Sequence, residues 1–332
     1  MKELVIVSGK GGTGKTSVAA SLAMLANRSV IADCDVDAAD LHLVLSPQVK
    51  ERYDFYAGHK AVIRPEDCIE CGACLANCRF GAVLHDHSPG GAGFSGSKSE
   101  CENCDHCERS CSIRNHALIR QMQEEMGLAG PTLFRIDPLA CEGCGVCVRF
   151  CPVKAIDFPE SLCGEWMVSD TRCGPMVHAR LGIAAENSGK LVSLVRTKAR
   201  QIAENQKRPL VIIDGPPGIG CPVIASVTGC SQALIVTEPT VSGIHDLERV
   251  ISLTNHFAIR AAVCVNRWDL NPEMTGQIEH KASQLGARIV GRIRYDRAVT
   301  QAQMQARAVV ETDAPSAEDI RNIWNHLTRS EC

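Results

Sequence analysis

The feature that most constrains the fold is a glycine-rich stretch close to the N-terminus, SGKGGTGKTS at residues 8–17. It follows an apolar run, Leu4 to Val7, which predicts a buried strand, and it precedes residues 15–27, which predict a helix. A loop between such a strand and helix directs backbone N–H groups and the positive end of the helix dipole at one point. The sequence therefore predicts an α/β domain with an anion site at this loop.

The loop matches the phosphate-binding pattern G-x-x-x-x-G-K-[ST] at Gly9, Gly14, Lys15 and Thr16. In this pattern the lysine reaches the β- and γ-phosphates of a nucleotide, and the hydroxyl reaches magnesium. The predicted nucleotide-binding residues of the loop are Gly11, Gly12, Thr13, Gly14, Lys15, Thr16 and Ser17.

Carboxylates follow two other predicted strands. Asp33, Asp35 and Asp37 alternate after the first, and Asp214 ends the apolar run PLVIID at residues 209–214. Carboxylates at the carboxyl edge of strands, beside a phosphate loop, suit magnesium coordination or orientation of an attacking water. For the aspartates of the first group, and for Asp40, helix capping is the alternative.

Further strands are predicted at residues 233–237, 261–265 and 289–293, and a final helix at residues 315–327. Strands that alternate with helices predict a mostly parallel sheet covered on both faces. The net charge of −3 gives no basic field for nucleic acid. No apolar run approaches the roughly 18 residues of a membrane span, and the one after Met1 is too short for a signal peptide. We therefore expect a cytoplasmic protein without a membrane anchor.

Cysteine usage is unusual, since twelve of the nineteen cysteines lie in three runs of spacing C-x2-C-x2-C-x3-C. Disulfides are rare in a reducing cytosol, so the runs predict metal ligation. The runs at residues 68–78 and 141–151 align at an offset of 73, together with Gly72 and Gly145 and with Ala82 and Ala155. They form an internal repeat. The run at residues 101–111 lacks the matching glycine and alanine, which indicates an insertion.

The repeated runs resemble the bacterial two-cluster ferredoxin, in which the fourth cysteine of each run ligates the other cluster. The resemblance implies one [4Fe–4S] cluster on Cys68, Cys71, Cys74 and Cys151, and a second on Cys78, Cys141, Cys144 and Cys147. For the middle run, a third [4Fe–4S] cluster is the leading interpretation, and Zn²⁺ on four thiolates is the alternative. Its ligands would be Cys101, Cys104, Cys107 and Cys111.

Lys10 gives the loop the form K-G-G-T-G-K-T, which resembles the deviant phosphate loop of the MinD/Mrp/nitrogenase-iron-protein ATPases. The resemblance covers nearly the whole chain and implies ATP as the nucleotide. It also implies a homodimer in which Lys10 reaches the partner's nucleotide, and hydrolysis that uses Lys10, Lys15 and Asp35. Mg²⁺ would bind Thr16, Asp35 and Asp214. Asn266 would contact adenine, and capping of a turn is the equal alternative for this residue. The turn predicted at Gly215, Pro216, Pro217 and Gly218 corresponds to the switch II segment of the family.

We therefore expect a mostly parallel P-loop NTPase fold at residues 1–56 and 161–332. Residues 57–160 would form an inserted ferredoxin-like α+β iron–sulfur domain, with an extra cysteine-rich insertion at residues 88–130. The leading function is nucleotide-driven electron transfer to a redox partner, for which a small molybdenum-binding protein is one candidate. The alternatives are an ATPase that assembles or delivers iron–sulfur clusters to an acceptor protein, and a MinD-like positioning ATPase with structural or sensory clusters.

Overall fold

The computed structural model describes residues 1–85, 134–182 and 187–329. The middle cysteine run at residues 101–111 and the predicted insertion at residues 88–130 lie outside these ranges. The chain divides into two compact units, one formed by Met1–Phe55 with the chain from Cys163 onwards, and one by Tyr56–Leu162. The boundaries expected from the sequence were residues 57 and 160.

The strands of the described residues are β1 (Lys2–Ser8), β2 (Ser29–Asp33), β3 (Gln48–His59), β4 (Val62–Ile63), β5 (Val83–His85), β6 (Phe134–Ile136), β7 (Ile156–Asp157), β8 (Glu160–Thr171), β9 (Gly174–Leu181), β10 (Leu210–Pro217), β11 (Gln232–Thr237), β12 (Arg260–Asn266) and β13 (Arg288–Ile293). The α-helices are α1 (Lys15–Leu25), α2 (Leu41–Leu45), α3 (Ala73–Asn77), α4 (Val146–Phe150), α5 (Ser188–Asn205), α6 (Cys221–Val227), α7 (Val241–His256), α8 (Pro272–Gln284), α9 (Arg297–Met304) and α10 (Pro315–Arg329).

The first unit is built on a nine-stranded sheet of order β13-β12-β11-β1-β10-β2-β9-β8-β3. Neighbouring strands from β13 to β9 pair in parallel, and β8 pairs with β9 in antiparallel fashion. The central strands are continuous apolar runs because helices cover a parallel sheet on both faces. The predicted mostly parallel α/β P-loop fold is therefore confirmed.

Two features of this sheet differ from the sequence prediction. The strands β3, β8 and β9 were not predicted. For β3 the reason is that this strand is exposed along most of its length and has no apolar run. The turn predicted to begin at Gly215 begins at Gly218, since β10 continues to Pro217. The reason is that Gly215 is packed against β1, where a Cβ atom would lie 2.9 Å from the carbonyl oxygen of Ile6. The positive φ of 90° that reverses the chain occurs at Gly218.

The second unit contains two similar halves, as the repeat predicts. Positive φ angles recur at an offset of 73 residues, in Glu70 and Gly143, in Gly72 and Gly145, and in Gly81 and Lys154. Each half also donates a corresponding backbone hydrogen bond to the other, from Arg64 N to the Ala155 carbonyl and from Asp137 N to the Ala82 carbonyl, both 2.8 Å. The pairs β4–β7 and β5–β6 join the halves. The ferredoxin-like character of this unit stays a prediction.

Of the helices in the described ranges, none combines the length and the apolar character needed to cross a bilayer.

Candidate active site

The glycine-rich loop connects β1 to α1, as predicted, and opens the amino end of α1 toward a cleft. Gly12 and Gly14 adopt φ angles of 80° and 86°, which only glycine adopts without strain. Helix α1 begins at Lys15, and the Val18 amide donates to the Gly14 carbonyl at 3.1 Å. The free N–H groups of the first turn therefore face the cleft, where they suit an anion.

Lys15 and two of the predicted carboxylates meet behind this loop. The Lys15 ammonium lies 2.8 Å from Asp214 Oδ1 and 3.2 Å from Asp35 Oδ2. The side chains of Lys15 and Asp214 are 6% and 1% exposed, so this ion pair is almost completely shielded from solvent. Burial opposes the charge of the ammonium, but the charges of Asp214 and Asp35 prevail and raise the pKa of Lys15. The group is a cation at physiological pH.

Asp33 adds a third buried carboxyl group to this cluster. It is in register with Asp214 across β2 and β10, and its Oδ1 accepts a hydrogen bond from the Asp35 amide at 3.2 Å. Burial, and then the charge of Asp214, raise the pKa of Asp33 well above its usual range. The second carboxylate oxygens of Asp33 and Asp214 are buried without a hydrogen-bond partner among the described residues. The three carboxyl groups thus offer more hydrogen-bond acceptor oxygens than Lys15 uses.

Asn266, at the end of β12, holds the phosphate loop. Its Nδ2 donates to the Thr13 carbonyl at 2.8 Å, and its Oδ1 accepts from the Arg267 amide at 3.0 Å. A Cβ atom at Gly14 would overlap Nδ2, so the loop and this amide are closely packed. The expected contact of Asn266 with adenine stays a prediction, and the role visible in the structure is support of the loop.

Lys10 is docked on its own protomer. Its ammonium lies 2.8 Å from Glu238 Oε1, 3.0 Å from Ser242 Oγ and 3.4 Å from Thr240 Oγ1. Glu238 also pairs with Arg267 at 3.2 Å. The loop before α7 therefore supplies a carboxylate for Lys10, and the sequence reasoning missed Glu238. The signal available was its place just after β11, at the same sheet edge as the loop.

A cleft of about 610 Å³ lies over the phosphate loop. One side is formed by α2 residues, among them Leu43, and the other by α9 residues. Gln303 of α9 donates from its amide to Ser17 Oγ at 2.7 Å, and Met304 beside it is 84% exposed. Sequence reasoning missed these residues because α9 carries no motif. Asp40 lines the cleft and precedes α2, but its side chain makes no capping hydrogen bond there.

A separate cavity, of about 20 Å³, lies in the second unit. Cys68, Cys71, Cys74 and Cys151 line it, which is the set predicted for the first cluster. Burial is the largest cause that raises the pKa of Cys74 to about 12, and the charges of Cys68 and Cys71 add to it. Within the described ranges, no three His, Cys, Asp or Glu side chains are grouped closely enough to hold a single metal ion.

Comparison with known proteins identifies the family. A model of the CobQ/CobB/MinD/ParA nucleotide-binding domain matches residues 4–309. The chain belongs to this family of P-loop ATPases. Two relatives are the uncharacterized proteins MJ0578 and MJ0579 of Methanocaldococcus jannaschii. MJ0578 is 29% identical over 272 residues, 81% of this chain and 79% of its own, and MJ0579 is 23% identical over 280 residues, 82% and 83%.

Solved structures of other family members share the fold. MinD in the MinC–MinD cell division complex of Aquifex aeolicus matches with a TM-score of 0.53 and 17% identity, over 100% of this chain and 97% of that one. The septum site-determining protein MinD of Pyrococcus horikoshii, in complex with Mg-ADP, matches with a TM-score of 0.53 and 13% identity, over 99% and 96%. At these identities the likeness extends to the fold alone.

Proposed function

We propose that this family member is an ATP-driven dimer switch of the MinD type, whose nucleotide state controls its binding to a partner protein. The observation that carries the proposal is the phosphate loop with Lys15, Asp35 and Asp214 buried directly behind it. The family match and the MinD-like fold favour this alternative over electron transfer, which none of the comparisons supports.

The residues present fit ATP with Mg²⁺. The amides of the loop and of the first turn of α1 bind phosphate oxygens, and Lys15 offsets the charge of the β- and γ-phosphates. Thr16, Asp35 and Asp214 would hold the metal, and Asp214 has a buried oxygen available for it. When bound, Mg²⁺ would neutralise charge on the transferring phosphoryl group. Asp35, which is buried at the cleft, orients the attacking water.

Lys10 links hydrolysis to dimerisation in this proposal. It is docked on Glu238, yet its side chain is 32% exposed. A flexible ammonium at the surface of the loop is suited to move from Glu238 to the phosphates of a partner subunit, where it stabilises developing negative charge. Hydrolysis then requires the second subunit, so that dimer formation and ATP turnover rise together.

Turnover as a function of protein concentration tests the proposal. Wild-type activity per chain is expected to rise with concentration, and Lys15→Ala is expected to abolish turnover at all concentrations. Lys281→Ala is the matched control, because Lys281 is a lysine of the same unit that pairs with Glu248 outside the phosphate loop. Full turnover in Lys15→Ala would contradict the assignment of the phosphate loop.

A second candidate function rests on the four-cysteine cavity. We propose that these residues hold a [4Fe–4S] cluster, because three cysteines of one repeat and the fourth cysteine of the other line one cavity, which the cluster would widen. Each iron of such a cluster takes one cysteine, so its thiolates lie farther apart than the ligands of a single ion. When bound, the cluster would supply one-electron chemistry. Electron or cluster transfer to a redox or acceptor protein would then accompany the ATPase.

Anaerobic reconstitution followed by iron and sulfide analysis tests this candidate. Cys151→Ser is expected to remove about four irons per chain, since it breaks one cluster. Cys221→Ser is the matched control, because Cys221 is an exposed free cysteine of the other unit. Equal iron content in both variants would contradict the cluster at this cavity.

A further inference from the structure

Lys15 contacts each of the three side chains that we assign to magnesium. Its ammonium nitrogen lies 2.8 Å from Asp214 Oδ1, 3.2 Å from Asp35 Oδ2 and 3.5 Å from Thr16 Oγ1. A lysine ammonium is a compact cation with three donors. Here these donors are directed at one oxygen of each side chain, so the ammonium occupies the space between the groups that a divalent cation would need.

The ammonium and a divalent cation cannot share these oxygens at low cost. Lys15 and Asp214 are almost fully buried, and repulsion between two cations is strong where water does not screen it. Lys15 also cannot simply withdraw. The departure of one member of a buried ion pair leaves the other charge buried and unpaired, which is strongly unfavourable.

Nucleotide phosphates provide the missing partner for the lysine. Lys15 follows the phosphate loop directly, so its ammonium can pass from the carboxylates to the phosphates while it stays paired. The transfer frees Asp35 and Asp214, and the phosphates add further oxygen ligands for the metal. Asp33 stays beside them, and its second carboxyl oxygen is buried without a hydrogen-bond partner among the described residues.

We propose that Lys15 acts as an internal counter-ion that excludes divalent cations until nucleotide binds, so that metal affinity depends on nucleotide. This inference rests on the proposed ATPase function and concerns the order in which its ligands enter. It makes Lys15 a gate for the metal as well as a phosphate ligand.

Binding of Mn²⁺, followed by the electron paramagnetic resonance of the free ion, tests the gate. In the wild-type protein, ADP is expected to tighten Mn²⁺ binding at one site about tenfold or more, within the usual range of coupling between two ligands. Lys15→Met keeps a long unbranched side chain and removes the charge. We expect it to bind Mn²⁺ without ADP about tenfold more tightly than the wild type does.

Two further variants make the result specific. Lys281→Met is the matched control, since it makes the same change at a lysine of the same unit that pairs with Glu248 at 2.8 Å outside the phosphate loop. It is expected to bind Mn²⁺ as the wild type does. Lys15→Met combined with Asp214→Asn is expected to lose the gained site. Should Lys15→Met be poorly folded, an increase of its melting temperature with Mn²⁺ that the wild type does not show reports the same site.

If the wild-type protein binds ADP but binds Mn²⁺ equally well with and without it, the proposed exclusion of the metal by Lys15 is wrong. The ATPase proposal is not affected by this result. If ADP does not bind at all, the proposed function fails. The comparison of Lys15→Met with the wild type in the absence of nucleotide still decides whether the lysine and the metal compete.

Discussion

The close packing between Gly14 and Asn266 gives a quantitative prediction. Gly14→Ala places a methyl group in a left-handed conformation, which costs about 1–2 kcal/mol. The methyl group also overlaps Asn266 Nδ2 and displaces the amide from the Thr13 carbonyl, which costs about 1 kcal/mol more. The free energy of unfolding of the first unit is therefore expected to fall by about 2–3 kcal/mol.

Gly12→Ala is the matched control for this substitution. Gly12 has a similar φ of 80°, but a Cβ atom there meets no atom within 4 Å. Urea unfolding followed by circular dichroism should show only the conformational cost of about 1–2 kcal/mol. In the Asn266→Ala background, Gly14→Ala should lose its extra cost because the overlapping amide is gone. Equal destabilisation by Gly12→Ala and Gly14→Ala in the wild-type background would refute the argument.

Three further predictions follow from other contacts. Lys10→Ala should leave ATP affinity unchanged but remove the rise of turnover with protein concentration; a normal rise would contradict cross-dimer catalysis. Burial lowers the pKa of His178 to about 4 from 6.5, so the unfolded chain binds more protons between these values. The contribution of His178 to the free energy of unfolding should fall by about 3 kcal/mol as pH decreases through this window. Urea unfolding should therefore show a flatter pH dependence for His178→Gln than for the wild type, and an unchanged one for His245→Gln at the exposed His245. Arg196→Met removes a buried 2.5 Å contact with Glu3 and should lower the melting temperature, at a cost of about 3 kcal/mol; an unchanged melting temperature would show that Arg200 suffices for Glu3.

The parts of the fold that sequence could predict are those that one physical pattern determines. The strand, glycine loop and helix of residues 2–25 follow from apolar periodicity and from glycines at left-handed positions. The paired cysteine runs predict the recurrence of positive φ at Gly72 and Gly145. The β8–β9 hairpin lacked such a pattern, since β8 buries only Cys163, Met167 and Ser169 and these do not alternate regularly.

The site was predicted as a set of residue types but not as a network of contacts. Lys15, Asp35 and Asp214 come from motifs, and the parallel sheet brings them to one edge. The docking of Lys10 on Glu238 and of Gln303 on Ser17 joins residues more than two hundred positions apart, for which no local pattern exists. The partner of the protein is likewise a property of surfaces that motifs do not encode.

The most direct test of the central claim is the molar mass of the protein by light scattering with ATP and with ADP. Asp35→Asn is used so that ATP persists during the measurement. The proposed switch predicts a dimer with ATP and a monomer with ADP, and a monomer with ATP when Lys10→Ala is added. A mass that stays that of the monomer with bound ATP would contradict an ATP-driven dimer switch.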